Sequence, residues 1–360
     1  MLTVRTSLTV DTVRIPGRTA QILSLNINKL VWPASNVFWK PRAVTLVPDN
    51  RWRQALIGTM LVHFPRNSAL LATNPRELPA RIKEEIKHLA PSGIGTDNQK
   101  LPAQVFLVGD LDSRVNKTVR KEGFSTLVFK ADDDYQLAAD VAQFAVREMP
   151  KKPPLVLLPF ADYLDSQAVA GLTAHSGAPI LFVNRDNIPT ATQKALKMIN
   201  PPAIYLIGQD NSLNPYLSDK VATILPDTPI KRITGKSVAE LSVNLAEYYD
   251  PEYQFGWGRN MPAGDVLTFI PSNYQYAGIF ASLLSHLATH APIIILPSHD
   301  RIPDTVKEYL DRINPPMNMP PRPPFMRGWI VGNSDGISDR QQIELESLLI
   351  KEAGDWPPHM

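Results

Sequence analysis

The sequence contains no cysteine among its 360 residues. Disulfides, thiolate nucleophiles and cysteine-based metal sites are therefore excluded. An excess of charge of one sign is also missing, because 37 Lys and Arg residues stand against 35 Asp and Glu residues. A chain with a formal net charge of only +2 has no broad electrostatic attraction for a polyanion. We therefore expect no nucleic acid partner.

Long apolar runs are absent as well. No stretch approaches the roughly 18 apolar residues that a membrane helix needs, so we expect no membrane span. The first ten residues alternate in polarity as a strand does and do not resemble a signal peptide. A trimmed signal, another export route and an internal protein are all compatible with this start.

Three short markers each occur three times along the chain. They are an apolar strand ending in proline, a helix start at Leu-Pro or Ile-Pro, and an apolar strand ending in glycine. They fall at Pro48, Pro159 and Pro271, at Pro79, Pro189 and Pro303, and at Gly109, Gly208 and Gly332. The prolines of the first marker lie 111 and 112 residues apart, which indicates three copies of one unit.

Short apolar runs alternate with helical patterns within each unit. In the second copy the runs are residues 155–158, 179–183 and 203–207, separated by helical stretches. An all-apolar run bounded by proline or glycine is typical of a parallel strand that is buried on both faces. The alternation predicts an α/β fold with parallel sheets.

A head segment begins each copy and leads into a helix. The heads are residues 12–17, 127–132 and 230–235, and they divide the chain near residues 125 and 228. We therefore expect three repeats, over residues 1–125, 126–228 and 229–360.

The second copy carries the most specific residues. These are Asp165-Ser166 at a helix rich in small residues, Ala178-Pro179-Ile180-Leu181, the strand ending at Gly208, and the following head from Arg232 to Gly235. Together they resemble the cell wall-binding repeat 2 family. The resemblance implies three Rossmann-like or toprim-like modules around a pseudo-threefold axis. It also implies a surface protein of Gram-positive bacteria that binds an anionic cell wall polymer noncovalently.

The copies differ at their polar positions. Where the second copy has Asp165, the first has Gln54 and the third has Tyr276 or Ala277. The family's usual Arg-Tyr pair after the head is also missing. The apolar positions are thus kept better than the polar ones, which indicates that the fold is retained more securely than a ligand site.

Candidate ligand contacts are the polar residues just after the strands, because open α/β sheets bind ligands at the carboxyl ends of their strands. Each copy has an arginine after its middle strand, namely Arg76, Arg185 and Arg301. Arginine suits phosphate or carboxylate groups. Helix capping by neighbouring residues, with solvated arginines, is the alternative. Asp165 and the head arginines Arg14 and Arg232 complete the set, and bracing of a module interface is the alternative role for the head arginines.

Motifs of catalysis and of cofactor binding are missing. The chain has no Gly-x-Ser-x-Gly elbow, no Gly-x-Gly-x-x-Gly loop and no P-loop. Aspartates follow the glycine-ended strands, at Asp110, Asp112, Asp210 and Asp335. Such carboxylates hold Mg²⁺ in some hydrolases, but turn and N-cap roles are the favoured interpretation. His286 and His290 have a metal-ligand spacing, yet their apolar helix favours core or interface roles. We expect no enzymatic activity, no cofactor and no metal.

Two segments are candidates for self-association. The segment from Pro315 to Pro324 has proline at six of its ten positions, which favours a stiff polyproline II arm. The segment from Tyr248 to Trp257 is rich in aromatic residues, which mark a protein or carbohydrate contact where they are exposed. A rigid surface loop and ring packing between modules are the respective alternatives.

The leading hypothesis is a noncatalytic protein of the cell surface that binds an anionic wall polymer or assembles on the envelope. One alternative is a self-assembling structural subunit of an extracellular array, filament or sheath. The other is a divergent metal-dependent hydrolase that uses the strand-end aspartates.

Overall fold

Parallel strands, most of them followed by a helix, build the chain in the computed structural model, which describes residues 12–34, 39–95, 102–147, 149–261, 266–313 and 327–349. The strands are β1 (Thr12–Ile15), β2 (Ala43–Pro48), β3 (Ser68–Thr73), β4 (Val105–Val108), β5 (Thr126–Phe129), β6 (Leu155–Pro159), β7 (Ile180–Val183), β8 (Ile204–Ile207), β9 (Ile230–Ile233), β10 (Tyr249–Asp250), β11 (Phe255–Gly256), β12 (Leu267–Pro271), β13 (Ile293–Leu296) and β14 (Gly328–Val331).

The helices lie between these strands. They are α1 (Ala20–Val31), α2 (Trp52–Thr59), α3 (Ala80–Leu89), α4 (Ser113–Lys121), α5 (Asp134–Val146), α6 (Tyr163–Ser176), α7 (Thr190–Ile199), α8 (Leu217–Ile224), α9 (Val238–Glu247), α10 (Ala277–Leu283), α11 (Asp304–Ile313) and α12 (Asp339–Leu348). Helix α10 continues as a π-helical turn over Leu284–Ala288. Over the described residues, no helix has the length and apolar character that a membrane crossing requires.

Three four-stranded parallel sheets form in the described part of the chain. Their strand orders are β3-β2-β4-β5, β7-β6-β8-β9 and β13-β12-β14-β1. We call the sheets with their helices the first, second and third module. Strands β6, β7 and β8 are buried on both faces, as their apolar runs predict, whereas the head strands β5 and β9 are only partly buried. The predicted α/β class with parallel sheets is confirmed.

Each sheet takes its outer strand from the head of another repeat. The head strand β5 pairs with β4 of the first module, and β9 pairs with β8 of the second. The first head strand, β1, pairs with β14 and so closes the third module. The packed modules therefore extend across residues 125 and 228, where we predict the borders of the sequence repeats.

The glycine that ends the inner strand of each sheet bonds the head strand supplied by the other repeat. The N–H groups of Gly109, Gly208 and Gly332 donate to the last carbonyl of the adjoining head strand, at 2.9, 3.3 and 2.9 Å. Gly109 and Gly332 adopt φ values of 94° and 108°, which favour glycine strongly. At Gly208 the reason is space, because an added Cβ would lie 2.9 Å from the Pro159 side chain. Glycine is thus favoured at all three junctions, by backbone conformation at two of them and by close packing at the third.

The central helices α2, α6 and α10 contact one another pairwise, as a pseudo-threefold arrangement requires. Residues Asp165 to Ala174 of α6 are all buried, because this helix is surrounded by protein on every side. At Gly278 of α10 the two backbones come close, since an added Cβ would lie 2.6 Å from the carbonyl oxygen of Gln167. The Gln167 side chain accepts a bond from the Gly278 N–H at 2.9 Å.

We predict that Gly278→Ala destabilises the protein. The added methyl group would force α10 away from α6. The resulting strain should lower the free energy of unfolding by about 1–3 kcal/mol, after the ~1 kcal/mol that alanine gains over glycine in a helix has been offset. Urea unfolding of both proteins measures the difference. Gly95→Ala is the control, because no atom of the described residues lies within 4 Å of its added Cβ. Equal stability of the Gly278→Ala variant and the parent would contradict the close approach.

Candidate ligand-binding surface

A cleft of about 270 Å³ opens at the carboxyl ends of β6, β7 and β8. It is lined by Pro159, Phe160, Ala161, Asp162, Asn184, Arg185, Asn211 and Ser212. We call it the second-module cleft. Its lining offers amide, hydroxyl and guanidinium groups beside one aromatic ring, which is a combination suited to a polar polymer that carries acidic groups.

The loop that carries Arg185 is held at several points. Asn184 bonds Asn187 through its backbone N–H at 3.0 Å and through its side chain at 2.8 Å. Tyr135 donates its hydroxyl proton to the Asn184 side chain, and the backbone N–H of Asn214 donates to the Arg185 carbonyl. The backbone is therefore fixed while the Arg185 side chain remains exposed.

Phe160 forms a fixed wall of the same cleft. The Tyr135 ring stacks on it with centroids 4.3 Å apart, and the Arg53 guanidinium lies 4.0 Å from its centroid. Arg53 also donates to the Phe160 carbonyl at 2.8 Å. Since Arg53 belongs to the first module and Tyr135 to the head helix α5, contacts between modules shape the cleft.

Asp165 lies beneath the cleft and is fully buried. Its carboxylate accepts bonds from the backbone N–H of Gln209 at 3.0 Å and from the Gln209 side chain at 2.9 Å. Burial, with a smaller effect from the nearby Asp162 carboxylate, raises the pKa of Asp165 to about 6. Asp165 thus ties the central helix to the end of β8 and does not face solvent.

The first module has the same bridge with its residue types exchanged. Gln54 of α2 accepts from the Asp110 N–H at 2.8 Å and donates to the Asp110 carboxylate at 2.9 Å. In the second module the helix supplies the aspartate and the strand end supplies the glutamine. Gln54 therefore makes the same connection as Asp165. The repeats do not show this match when single positions are aligned, because both residue types of the pair change.

A second cleft, of about 290 Å³, lies at the carboxyl ends of β4 and β5. It is lined by Arg51, Gln54, Gly109, Asp110, Ala131, Asp132, Asp133, Asp134, Leu137 and Phe160. We call it the first-module cleft. Its lining has four carboxylates and one guanidinium, so the cleft is negatively charged, whereas an anionic ligand requires positive charge.

The three predicted strand-end arginines occupy corresponding loops and are all exposed. Arg301 forms an ion pair with Asp304 at 3.4 Å. Helices α3 and α7 begin after Pro79 and Pro189 with no side-chain capping bond. In those two loops the alternative of helix capping is therefore not what the structure shows.

Both head arginines bond the loop that follows a glycine-ended strand. Arg14 donates to the carbonyls of Gly332 and Ile337 at 3.2 and 2.9 Å. Arg232 donates to the carbonyls of Leu213 and Asn214, each at 3.3 Å. Bonds of this kind are expected where the head arginines brace an interface. Each head strand completes the sheet of a module, and its arginine fixes a loop of that same module.

The strand-end aspartates have structural partners. Asp112 caps α4 by accepting from the Arg114 N–H, and Asp335 accepts from the Tyr274 hydroxyl. Asp210 donates its N–H to the Gly235 carbonyl at 3.0 Å. Among the described residues, no group of three or more His, Asp or Glu side chains is arranged to hold a metal ion.

The aromatic segment packs partly between elements. Phe255 is fully buried and stacks on Tyr205 with centroids 3.9 Å apart, while Tyr249 stays half exposed. The Tyr205 hydroxyl donates to the Asp250 carboxylate at 2.6 Å, which fixes the segment to the second module. Self-association through this segment stays a prediction. The arm from Pro315 to Pro324 lies outside the described residues.

The cell wall binding domain 2 (CWB2) family model matches residues 129–217 of this chain. The matched stretch covers the second module from the end of β5 into α8. This match confirms, for the second module, the resemblance predicted from the sequence, and it indicates a protein of the cell surface.

Two curated proteins of Bacillus subtilis (strain 168) are similar to parts of the chain. N-acetylmuramoyl-L-alanine amidase LytC is 25% identical over 251 residues, which are 69% of this chain and 45% of LytC. The amidase enhancer is 25% identical over 166 residues, which are 46% of this chain and 21% of that protein. The chain thus spans less than half the length of either relative.

Two solved structures from Clostridium difficile share the fold. Cwp6 superposes with a TM-score of 0.75 at 17% identity, covering 95% of this chain and 48% of Cwp6. Cwp8 gives a TM-score of 0.70 at 16% identity, covering 94% of this chain and 52% of Cwp8. These likenesses support the whole three-module architecture, including the modules outside the family match.

We predict that the second module also accepts the residue order of the first, with glutamine on the central helix and aspartate at the strand end. Asp165→Gln and Gln209→Asp should each cost about 1–3 kcal/mol, because each leaves a buried polar group badly paired. The double variant recreates the first module's arrangement, so it should regain at least half of the summed loss. Denaturant unfolding of the four proteins gives the coupling free energy.

The control for this double-mutant cycle combines Asp165→Gln with Arg120→Ala. Arg120 is an exposed residue of α4 in the first module, so its effect should simply add to that of Asp165→Gln. A coupling free energy near zero between positions 165 and 209 would show that the bridge is not a unit.

We predict a pH dependence of stability from Asp165. Its pKa is about 6 in the folded protein against 3.8 ordinarily, so the unfolded chain binds fewer protons between these values. Its contribution to stability is therefore full below about pH 4 and falls by up to ~3 kcal/mol as the pH rises to about 6. Asp165→Asn should remove this fall in urea unfolding series from pH 4 to 7. Identical pH profiles of parent and variant would contradict the prediction.

Proposed function

We propose that the chain is a noncatalytic wall-binding unit of a cell-surface protein, which holds an anionic cell wall polymer in the second-module cleft. One observation carries this proposal. Every residue that lines the cleft lies within 129–217, the stretch that matches the cell wall binding domain. The exposed Arg185 at this cleft supplies the positive charge that a phosphate or carboxylate group needs.

Electrostatics favour the second module over the first. The second-module cleft contains Arg185 and the single carboxylate of Asp162, whereas four aspartates line the first-module cleft. An anionic polymer would be repelled from the latter at neutral pH. We therefore expect the second module to contribute most of the affinity, with Arg76 and Arg301 as further contacts from corresponding loops.

The buried candidates act on the ligand indirectly in this proposal. Asp165 holds the Gln209 backbone and side chain at the edge of the cleft, so its role is to position the loop after β8. Arg14 and Arg232 hold the corresponding loops through backbone carbonyls. These three residues would therefore set the shape of the binding surface.

The noncatalytic part of the proposal rests on what the chain shares with its curated relatives. The names of both relatives refer to amidase activity, but the chain spans only 45% and 21% of their lengths. The sequence has no Gly-x-Ser-x-Gly elbow, and among the strand-end aspartates Asp112 caps a helix and Asp110 is a bridge partner. We infer that the shared part binds the wall.

The proposal predicts that Arg185→Ala weakens retention on purified cell wall. Loss of a charge-assisted hydrogen bond typically costs ~1.5–3 kcal/mol, which corresponds to roughly 10- to 100-fold in affinity. A sedimentation assay at several salt concentrations measures it, with walls that keep or lack their anionic polymer. Binding of the parent should need the polymer and should weaken as salt rises.

Arg120→Ala is the matched control, since it removes an exposed arginine of the first module far from any strand-end loop. It should bind as the parent does. Equal binding by the Arg185→Ala variant would refute the assignment of the cleft. Equal retention on walls with and without the polymer would refute the ligand class.

A further inference from the structure

Four of the seven histidines of the chain gather at one place, His63, His175, His286 and His290. We call them the axial histidine cluster. Three of them follow the strand-end proline of their repeat by 15, 16 and 15 residues, so each repeat contributes one near the end of its central helix. His290 is an addition from the third repeat. The cluster therefore joins all three modules.

The ring contacts define the cluster. The centroids of His63 and His286 are 4.7 Å apart, and those of His175 and His290 are 5.3 Å apart. The Nδ1 atom of His286 is buried and has no hydrogen-bond partner among the described residues. Burial lowers the pKa of His175 to about 4, so that ring is neutral at physiological pH, as a metal ligand must be.

His175 and His290 come from different modules and share a hydrogen bond between their Nδ1 atoms, which are 3.3 Å apart; an ion bound by both nitrogens would replace its proton. A tetrahedral ion with bonds of about 2.0–2.1 Å to nitrogen holds two ligand nitrogens roughly 3.4 Å apart. The pair therefore already has the spacing of two ligands on one ion.

Neighbouring groups hold the His175 ring and the His290 backbone in place. Trp257 stacks on His175 with centroids 4.2 Å apart and planes inclined by 20°. His290 has a left-handed backbone with φ of 51°, and its carbonyl accepts from the Arg259 guanidinium at 3.3 Å. A left-handed histidine costs roughly 1 kcal/mol, so the fold maintains this position against a local preference.

We propose that His175 and His290 form a two-histidine site for a divalent transition-metal ion, which clamps the second module to the third. Imidazole nitrogen suits Cu²⁺, Ni²⁺ and Zn²⁺, and copper binds most tightly of the three. The described residues supply no third ligand in place, so water completes the coordination, and the exposure of His290 gives the ion access. The positive charge of Arg259 nearby reduces the affinity.

The site is separate from the proposed polymer cleft. The histidines lie near the carboxyl ends of the central helices, whereas the strand-end loops lead into the amino ends of those helices. A metal clamp therefore acts on how the modules are held together. Its test does not depend on polymer binding.

Titration of the tag-free chain with CuCl₂ tests the proposal. Bound Cu²⁺ should quench Trp257, one of six tryptophans, because that ring stacks on a ligand. Zn²⁺ should leave the emission largely unchanged but raise the unfolding temperature, since it binds only the folded pair. His175→Gln and His290→Gln should each lose both responses.

Two variants serve as controls. His88→Gln removes an exposed histidine of α3 and should keep both responses. Trp257→Phe should lose the quenching but keep the shift in unfolding temperature. His290 is exposed, so His290→Gln should fold, which circular dichroism checks. The proposal is overturned if the parent shows neither response, or if His175→Gln and His290→Gln respond as the parent does.

Discussion

The parallel pairing of each head strand with the glycine-ended strand of another repeat is the interaction on which the rest of the structure depends. Without it, every sheet would lose its outer strand and leave unpaired N–H and C=O groups on the adjoining strand. The closing pair joins β1 to β14, and Arg14 and Gly332 meet there from 318 positions apart. Because each repeat completes another repeat's sheet, the three central helices are brought together, and the contacts between modules follow.

The bridge between a central helix and a strand end connects this architecture to the candidate site. It fixes the loop after the glycine marker in two modules, once as Gln54 with Asp110 and once as Asp165 with Gln209. The exchange keeps one amide donor and one carboxylate acceptor, which change places between the helix and the strand end. What looks like loss of a polar motif in the first repeat is thus a compensated pair, and the constraint acts on hydrogen bonding more than on residue identity.

The sequence predicts the strands well because a parallel strand buried on both faces has to be an apolar run. The apolar runs over residues 179–183 and 203–207 are predicted as strands, and both agree with the observed strands to within one residue. The sheet that each head strand joins could not be predicted, since strand pairing over such distances has no local signal. The same applies to His175 and His290, which meet only because α6 and α10 pack together. Arg185 could be found, because its place after a buried strand is itself a local pattern.

The backbone of the three modules is repeated, but their surface charges are not. The loops at the carboxyl ends of the strands are under no packing constraint comparable to that on the sheets, so substitutions there are tolerated. In the first module this freedom has gathered Asp132, Asp133 and Asp134 at the cleft beside β4 and β5, although Arg76 occupies the loop that corresponds to that of Arg185 in the second module. The first- and second-module clefts therefore differ in electrostatic potential although their modules share one fold. If the proposed function holds, the repeated fold sets where candidate sites lie, and the charges of each loop decide which of them suits an anionic polymer.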